Sequence, residues 1–223
     1  MKSLVALLKK TAGLKGWQVS RLSKNSTEVY YVGRELETVR CNAVSNYTLR
    51  VQTPCEDNFM GESATRFQGK PVSLNALVEE TKERAELVKN PAYRFAESSP
   101  LLSAIHPPID DIQIRNADLD TLIAVGVKAQ EYRQKHLARF PLNSLELFFE
   151  EYTLDIQNHR GLICHTPSTR LVCDYVLTSP DNAHEIMGIK KRRFLSDLCI
   201  EEEWENDARI LSDLTQATLP PTG

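Results

Sequence analysis

Several ingredients are scarce in this sequence, and each shortage closes off a class of function. Only nine glycines occur in 223 residues, and none falls into a G-x-G-x-x-G or G-x-x-x-x-G-K-[ST] pattern. Neither a dinucleotide turn nor a phosphate loop can be built from them. No apolar run approaches the ~20 residues that a membrane-spanning helix needs. The run Leu4–Leu8 is broken by Lys9 and Lys10, short of a secretory core, so it predicts an amphipathic first helix and not a signal peptide. Basic residues are not in excess: Lys+Arg is 27 against Asp+Glu 30, for a net charge of −3. A protein that grips nucleic acid by its overall field needs the opposite balance. The five cysteines (Cys41, Cys55, Cys164, Cys173, Cys199) are odd in number, widely spaced and form no C-x-x-C pair. That fits reduced thiols in a cytoplasmic protein, not a disulfide framework or a zinc ribbon. The sequons Asn25-Ser26-Thr27 and Asn46-Tyr47-Thr48 then carry no meaning.

What remains is ordinary globular material, 41% hydrophobic and 26% charged, long enough to bury a core without staples. Residues 3–14 read as a helix, with Leu4, Leu7, Leu8 and Leu14 near one face. Val29–Val32 is a β-branched and aromatic run, Gly33-Arg34 a turn, and Glu35–Cys41 a loose alternation. Tyr47–Thr53 alternates cleanly and is closed by Pro54, the pattern of a half-buried antiparallel strand. A further strand is predicted through Phe59–Phe67.

Ser73 is placed to cap a helix carrying Leu74, Leu77, Val78, Thr81, Ala85 and Val88, which Asn90-Pro91 ends. Pro91, Pro100, Pro107 and Pro108 make 91–111 a proline-rich connector. Asp118 can cap a second long helix over about 119–138, which Phe140-Pro141 ends. Leu145, Leu147 and Phe149 then share one strand face, and Tyr152, Leu154 and Ile156 the other. The slip at Glu150-Glu151 predicts a bulge or a tight turn. Asn158–Gly161 reads as a hairpin turn, and Leu171, Cys173, Tyr175 and Leu177 as another alternating strand. Asp197 is the expected cap of a last helix, about 198–216, with Trp204, Ala208, Leu211 and Thr215 on one side. Clustered strands between helices predict an α+β fold, a mostly antiparallel sheet packed against three to four long helices. The connector 91–111 suggests sub-units 1–95 and 112–217 within one domain over 1–223.

Candidate chemistry is incomplete wherever it is sought. His184-Glu185 starts a zinc-protease pattern, but the second histidine is missing: position 188 is Gly188 and position 189 Ile189. Cys164 and His165 are strand neighbours and point to opposite faces, so they form no nucleophile–base pair, and a buried cysteine acts as a small hydrophobe. Glu150 and Glu151 diverge for the same reason. His106, His136 and His159 are scattered. Lys190–Arg193 is a basic run of four with Glu201-Glu202-Glu203 close behind it, which predicts local charge balance. No catalytic, cofactor-binding or metal-binding residue is therefore assigned in this chain.

The stretch Val29-Tyr30-Tyr31-Val32-Gly33-Arg34-Glu35-Leu36-Glu37-Thr38-Val39-Arg40, then Tyr47–Val51, then Gly61-Glu62-Ser63, resembles the start of the TldD/PmbA family. So does the helix from Leu77-Val78-Glu79-Glu80 through Arg84-Ala85 to Val88-Lys89-Asn90-Pro91-Ala92-Tyr93. Tyr152–Gly161 is similar to that family's strand leading into an N-S-x-G turn, and Leu219–Gly223 to its junction before the C-terminal half. The resemblance implies a zinc metallopeptidase family acting on unfolded or modified peptides, also known as modulators of DNA gyrase. In it, the zinc motif H-E-x-x-x-H of TldD-type subunits opens a C-terminal half, and PmbA-type (TldE) partners lack it. The chain would then be a non-catalytic N-terminal half that helps shape a substrate chamber, with zinc expected in the other half. Its expected partners are its own C-terminal domain or a TldD/PmbA-type subunit in a dimer, and peptides. The alternative is a free-standing peptide- or protein-binding module with no catalysis of its own.

Overall fold

The computed structural model describes residues 1–56, 58–98 and 109–217. The connector prolines Pro100, Pro107 and Pro108, together with His106 and Leu219–Gly223, lie outside these. The first helix, α1 (Lys2–Leu8), buries Leu4, Val5 and Leu8. It ends sooner than its leucines suggest, because Lys9 and Lys10 follow and Gly13 turns the chain at φ +79°. Strands β1 (Gly16–Val32) and β2 (Glu35–Pro54) form a long hairpin across the left-handed Gly33. Next come β3 (Phe59–Gln68), α2 (Leu74–Glu86) and the two-residue β4 (Asn90–Pro91). Ser73 caps α2 by accepting from the Ala76 amide at 3.2 Å.

After the connector come α3 (Ile112–Asn116) and α4 (Leu119–His136), the latter capped by Asp118 accepting from Thr121 N at 2.8 Å. β5 (Leu142–Asn158) and β6 (Ile163–Thr178) form the second long hairpin, turning at Gly161. β7 (Glu185–Arg192) and α5 (Ile200–Gln216) complete the order. The strands make one seven-stranded sheet in the order β4-β3-β2-β1-β5-β6-β7, and the fold is α+β. Two sequence expectations need correcting. Asp197 does not cap α5: it sits in a short 3₁₀ turn, and Cys199 occupies the cap without a side-chain bond. Thr215 is exposed, while Trp204, Ala208 and Leu211 are buried as their spacing requires.

The chain packs as two compact units that interleave along the sequence. One comprises 1–24, 43–107 and 152–167, the other 25–42, 108–151 and 168–223. Four of the five boundaries fall within the long strands β1, β2, β5 and β6, each of which contributes to both units, and the fifth, at 107/108, falls in the connector. The first unit has its own core of Leu4, Val5, Leu8, Trp17, Val19, Leu49, Val51, Val78 and Ala85. The second packs Leu145, Leu147, Phe149, Leu171, Tyr175 and Leu177 with Leu122, Trp204 and Leu211 of α4 and α5.

The predicted break at Glu150-Glu151 is absent, because β5 runs through without a turn. Gly33 N–H donates to Asn143 O at one end of the strand and His159 N–H to Trp17 O at the other, so one antiparallel register against β1 holds throughout. What changes at Glu150 is chemistry, not geometry. The apolar residues move to the other face, and the face they vacate carries Asp155.

Candidate functional site

The register that carries β5 past Glu150 aligns a row of side chains within the first unit. Tyr47 is opposite Phe67, its ring stacked at 5.1 Å between centroids. Ser23 meets Ser45 at 2.9 Å, and the same β1–β2 register sets Arg21 opposite Tyr47. Arg21 Nε and Nη2 both donate to Asp155 Oδ2, at 2.9 and 2.6 Å. Asp155 Oδ1 bonds His165 Nδ1 at 2.8 Å on β6. Phe67, Tyr47, Arg21, Asp155 and His165 thus form one line across five adjacent strands, each residue facing the next.

The electrostatics follow from that line. Burial alone would raise the Asp155 pKa, but the hydrogen bonds from His165 and Arg21 outweigh it and hold the carboxyl below its ordinary value. The Arg21 guanidinium is held above its usual value, by its bond to Asp155 first and by Tyr47 in addition. Asp155 is nearly buried whereas His165 stays open, with 66% of its side chain exposed. A carboxylate that takes Nδ1 turns Nε2 of an imidazole outward. The aromatic end of the row borders a cavity of 270 Å³ lined by Leu4, Tyr47, Phe67, Pro71 and Leu74. The arrangement suits holding a ligand that is apolar at one end and polar along its length.

A second set of contacts in the same unit fixes the segment after β4. Arg50 donates to Glu62 Oε1 at 3.0 and 2.5 Å and to the Tyr93 hydroxyl at 2.6 Å, and its guanidinium lies 5.2 Å from the Phe95 ring centroid. Tyr93 also donates to Glu62. Asn158 Nδ2 reaches Ala96 O at 2.7 Å and Arg160 Nη1 reaches Phe95 O at 3.1 Å. These side-chain bonds replace the main-chain ladder that an extended segment otherwise lacks.

The residues singled out from sequence are placed as follows. His184 precedes a strand, not a helix, and Glu185 Oε1 accepts from Asn143 Nδ2 at 2.6 Å. Cys164 Sγ meets the Thr166 hydroxyl at 3.2 Å while its neighbour His165 joins Asp155. Glu150 is held by Arg170, and Glu151 by Arg115 at 2.9 Å. His136 stacks on Tyr132, and His159 Nδ1 accepts from Trp17 N–H at 3.2 Å. Lys190 and Arg192 both pair with Glu203. Cys173 is buried, which pushes its thiol up to about 12. Among the described residues no three His, Cys, Asp or Glu side chains converge to hold a metal ion. Among the described residues no helix is long and apolar enough to cross a membrane.

Sequence reasoning did not find Arg21, Asp155 or Arg50. Their partners lie up to 134 positions away, and no local pattern signals them.

No family model and no curated protein matches the sequence. Solved structures do match. A protein described as a candidate modulator of a DNA gyrase, from Thermotoga maritima MSB8, aligns with a TM-score of 0.74 at 18% identity, over 100% of this chain and 49% of its own. TldE from Thermococcus kodakarensis aligns at 0.68 and 15% identity, over 95% of this chain and 47% of its own. The fold is theirs. A second candidate gyrase modulator, from Bacteroides thetaiotaomicron VPI-5482, aligns at 0.62 and 14% identity, over 93% of this chain and 49% of its own. The chain therefore spans about half the length of the TldE and modulator chains whose fold it shares.

Proposed function

We propose that the chain is the non-catalytic half of a TldD/PmbA-type metallopeptidase, a module that holds peptide substrate for a zinc centre located outside it. The observation that carries this reading is the likeness to TldE over 95% of the chain but only 47% of TldE. Catalysis belongs to the H-E-x-x-x-H half of such an enzyme, supplied by the chain's own C-terminal domain or by a TldD-type partner in a cytoplasmic dimer. The row from Phe67 to His165 is the peptide-holding surface. An apolar side chain enters the 270 Å³ cavity beside Tyr47 and Phe67. The peptide's carbonyl and carboxylate oxygens meet Arg21 and the outward edge of His165.

The direct test is a binding and turnover assay with the pure chain and a labelled unfolded polypeptide. Binding without cleavage is expected, weakened by Arg21→Ala, and cleavage should appear only when a zinc-bearing partner is added. Chelator-sensitive cleavage by the pure chain would overturn the reading.

A further inference from the structure

A further cavity of the first unit carries positive charge with nothing in its lining to balance it. It measures 410 Å³ and is lined by the loop joining α1 to β1 and by the ends of β1, β5 and β6. Leu8 and Trp17, both buried, make an apolar wall, and Ile163, 73% exposed, an apolar lip. The cationic and titratable lining is Lys9, Lys15 and His159, and among the described residues no Asp or Glu joins it. Lys9 and Lys15 are exposed, and no carboxylate among the described residues pairs with either.

Local structure holds these groups in place. Gly13 turns the loop at φ +79°, and Lys15 N–H donates to Gln52 O at 2.7 Å, which ties the end of the loop to β2. Both ends of the loop, Lys9 and Lys15, therefore line one cavity. His159 Nδ1 accepts from Trp17 N–H at 3.2 Å, so the neutral ring carries its proton on Nε2 and offers it as a donor. A Cβ on Gly16 would stand 2.7 Å from His159 Cε1. The glycine is what lets the ring lie against the start of β1. Trp17, Gln157 and Ile163 are each an even number of residues from Arg21, Asp155 and His165 on the same strands, so the cavity shares their face of the sheet. It shares no residue with that row, and the two readings stand or fall separately.

We infer that this cavity is a binding site for an organic acid, a carboxylate joined to an apolar body. Two ammonium groups beside one opening repel each other until a counter-charge enters. The carboxylate meets Lys9, Lys15 and the His159 Nε2–H, and the body lies between Trp17 and Ile163. An apolar wall with a few polar groups that fix orientation is the usual make-up of a small-molecule site. A carboxylate suits it better than a phosphate, because no guanidinium lines the cavity to supply the bidentate fork.

The test is a titration of the full chain with 3-phenylpropionate, followed by NMR at the two tryptophan indole N–H signals. The acid should shift Trp17 and leave Trp204, in the core of the other unit, unmoved, with a dissociation constant of about 1 mM for so small a ligand. Its cationic counterpart 3-phenylpropylamine, and acetate, which lacks the body, should not bind at equal concentration. Lys9→Ala and Lys15→Ala should each weaken the acid about threefold, and the double variant about tenfold, as for exposed charge pairs. Both lysines are exposed, so the variants keep their fold, and circular dichroism checks this. Acetyl-Gly-Phe with a free carboxylate, set against its amide, tells a peptide end from a free acid: a response to the peptide acid extends the site to chain ends, and a response to phenylpropionate alone restricts it to free acids. Equal binding of the amine overturns the inference. So does acid binding that ignores the double substitution, or a chain that binds neither acid.

Discussion

The Tyr175 ring lies against the backbone of Gly188, its cross-strand partner, and its hydroxyl reaches Asp207 on α5 at 2.7 Å. A Cβ on Gly188 would stand 2.2 Å from Tyr175 Cζ. The glycine is needed for space, not for backbone freedom. Gly188→Ala should therefore lower stability by about 1–3 kcal/mol, the usual cost of overpacking a core. Urea denaturation monitored by Trp fluorescence measures it. Tyr175→Phe should cost about 1 kcal/mol by stranding the Asp207 bond, without the steric penalty. Equal loss in both would refute the packing argument.

Asp155 should give the protein an acid-sensitive component. Its folded pKa is depressed, because hydrogen bonds from His165 and Arg21 outweigh the upward push of burial. A depressed carboxyl binds its proton more weakly folded than unfolded. Its contribution is complete above the unfolded pKa of about 4 and is lost as pH falls through the lower folded value. Asp155→Asn should be less stable than the parent at pH 7 and should flatten the parent's decline below about pH 4. Parallel urea titrations across that range decide it, and an unchanged slope in the variant would remove Asp155 from the acid response.

The thiols should sort by burial. Cys41, Cys55 and Cys199 are exposed, Cys164 is intermediate, and Cys173 is buried with its pKa pushed up to about 12, by burial first and by Asp174 and Glu203 in addition. Reactivity follows thiolate and access. Iodoacetamide at pH 8 should label the three exposed cysteines in minutes and Cys173 only after unfolding, as read by peptide mass spectrometry.

The helix caps separate the true starts from the mistaken one. Ser73→Ala should cost about 1 kcal/mol because its hydroxyl satisfies the Ala76 amide. Asp197→Ala should cost less, since Asp197 lies before Cys199 in the 3₁₀ turn and caps nothing in α5. Thermal melts of the two variants test the order.

Where the chain's local preferences agree with its surroundings, the fold could be read directly. Ser73 and Asp118 are placed as caps, and the alternation of Leu171, Cys173, Tyr175 and Leu177 is a buried strand face. The long hairpin was only partly legible. β1 begins at Gly16 through Ser, Lys and Asn residues of low strand preference, and β2 continues through Arg40-Cys41-Asn42. Pairing with neighbours on both sides, not propensity, makes strands of them. The apolar shift at Glu150 was seen, but its meaning was not. A sequence cannot separate a bulge from a change of which face is apolar, and only the bonds Gly33–Asn143 and His159–Trp17 do so. The row from Phe67 to His165 depends on that same register, so it was invisible for the same reason.

The interleaving of the two compact units has a practical consequence for genetics. Each unit draws on three separate stretches of chain, exchanging at 24/25, 42/43, 107/108, 151/152 and 167/168. Truncating from either end at any of the inner three exchanges takes pieces from both units. Deletion series and two-hybrid fragments will therefore report loss of every activity at once and assign none of them to a region. A useful dissection has to be made by point substitution, face by face along intact strands.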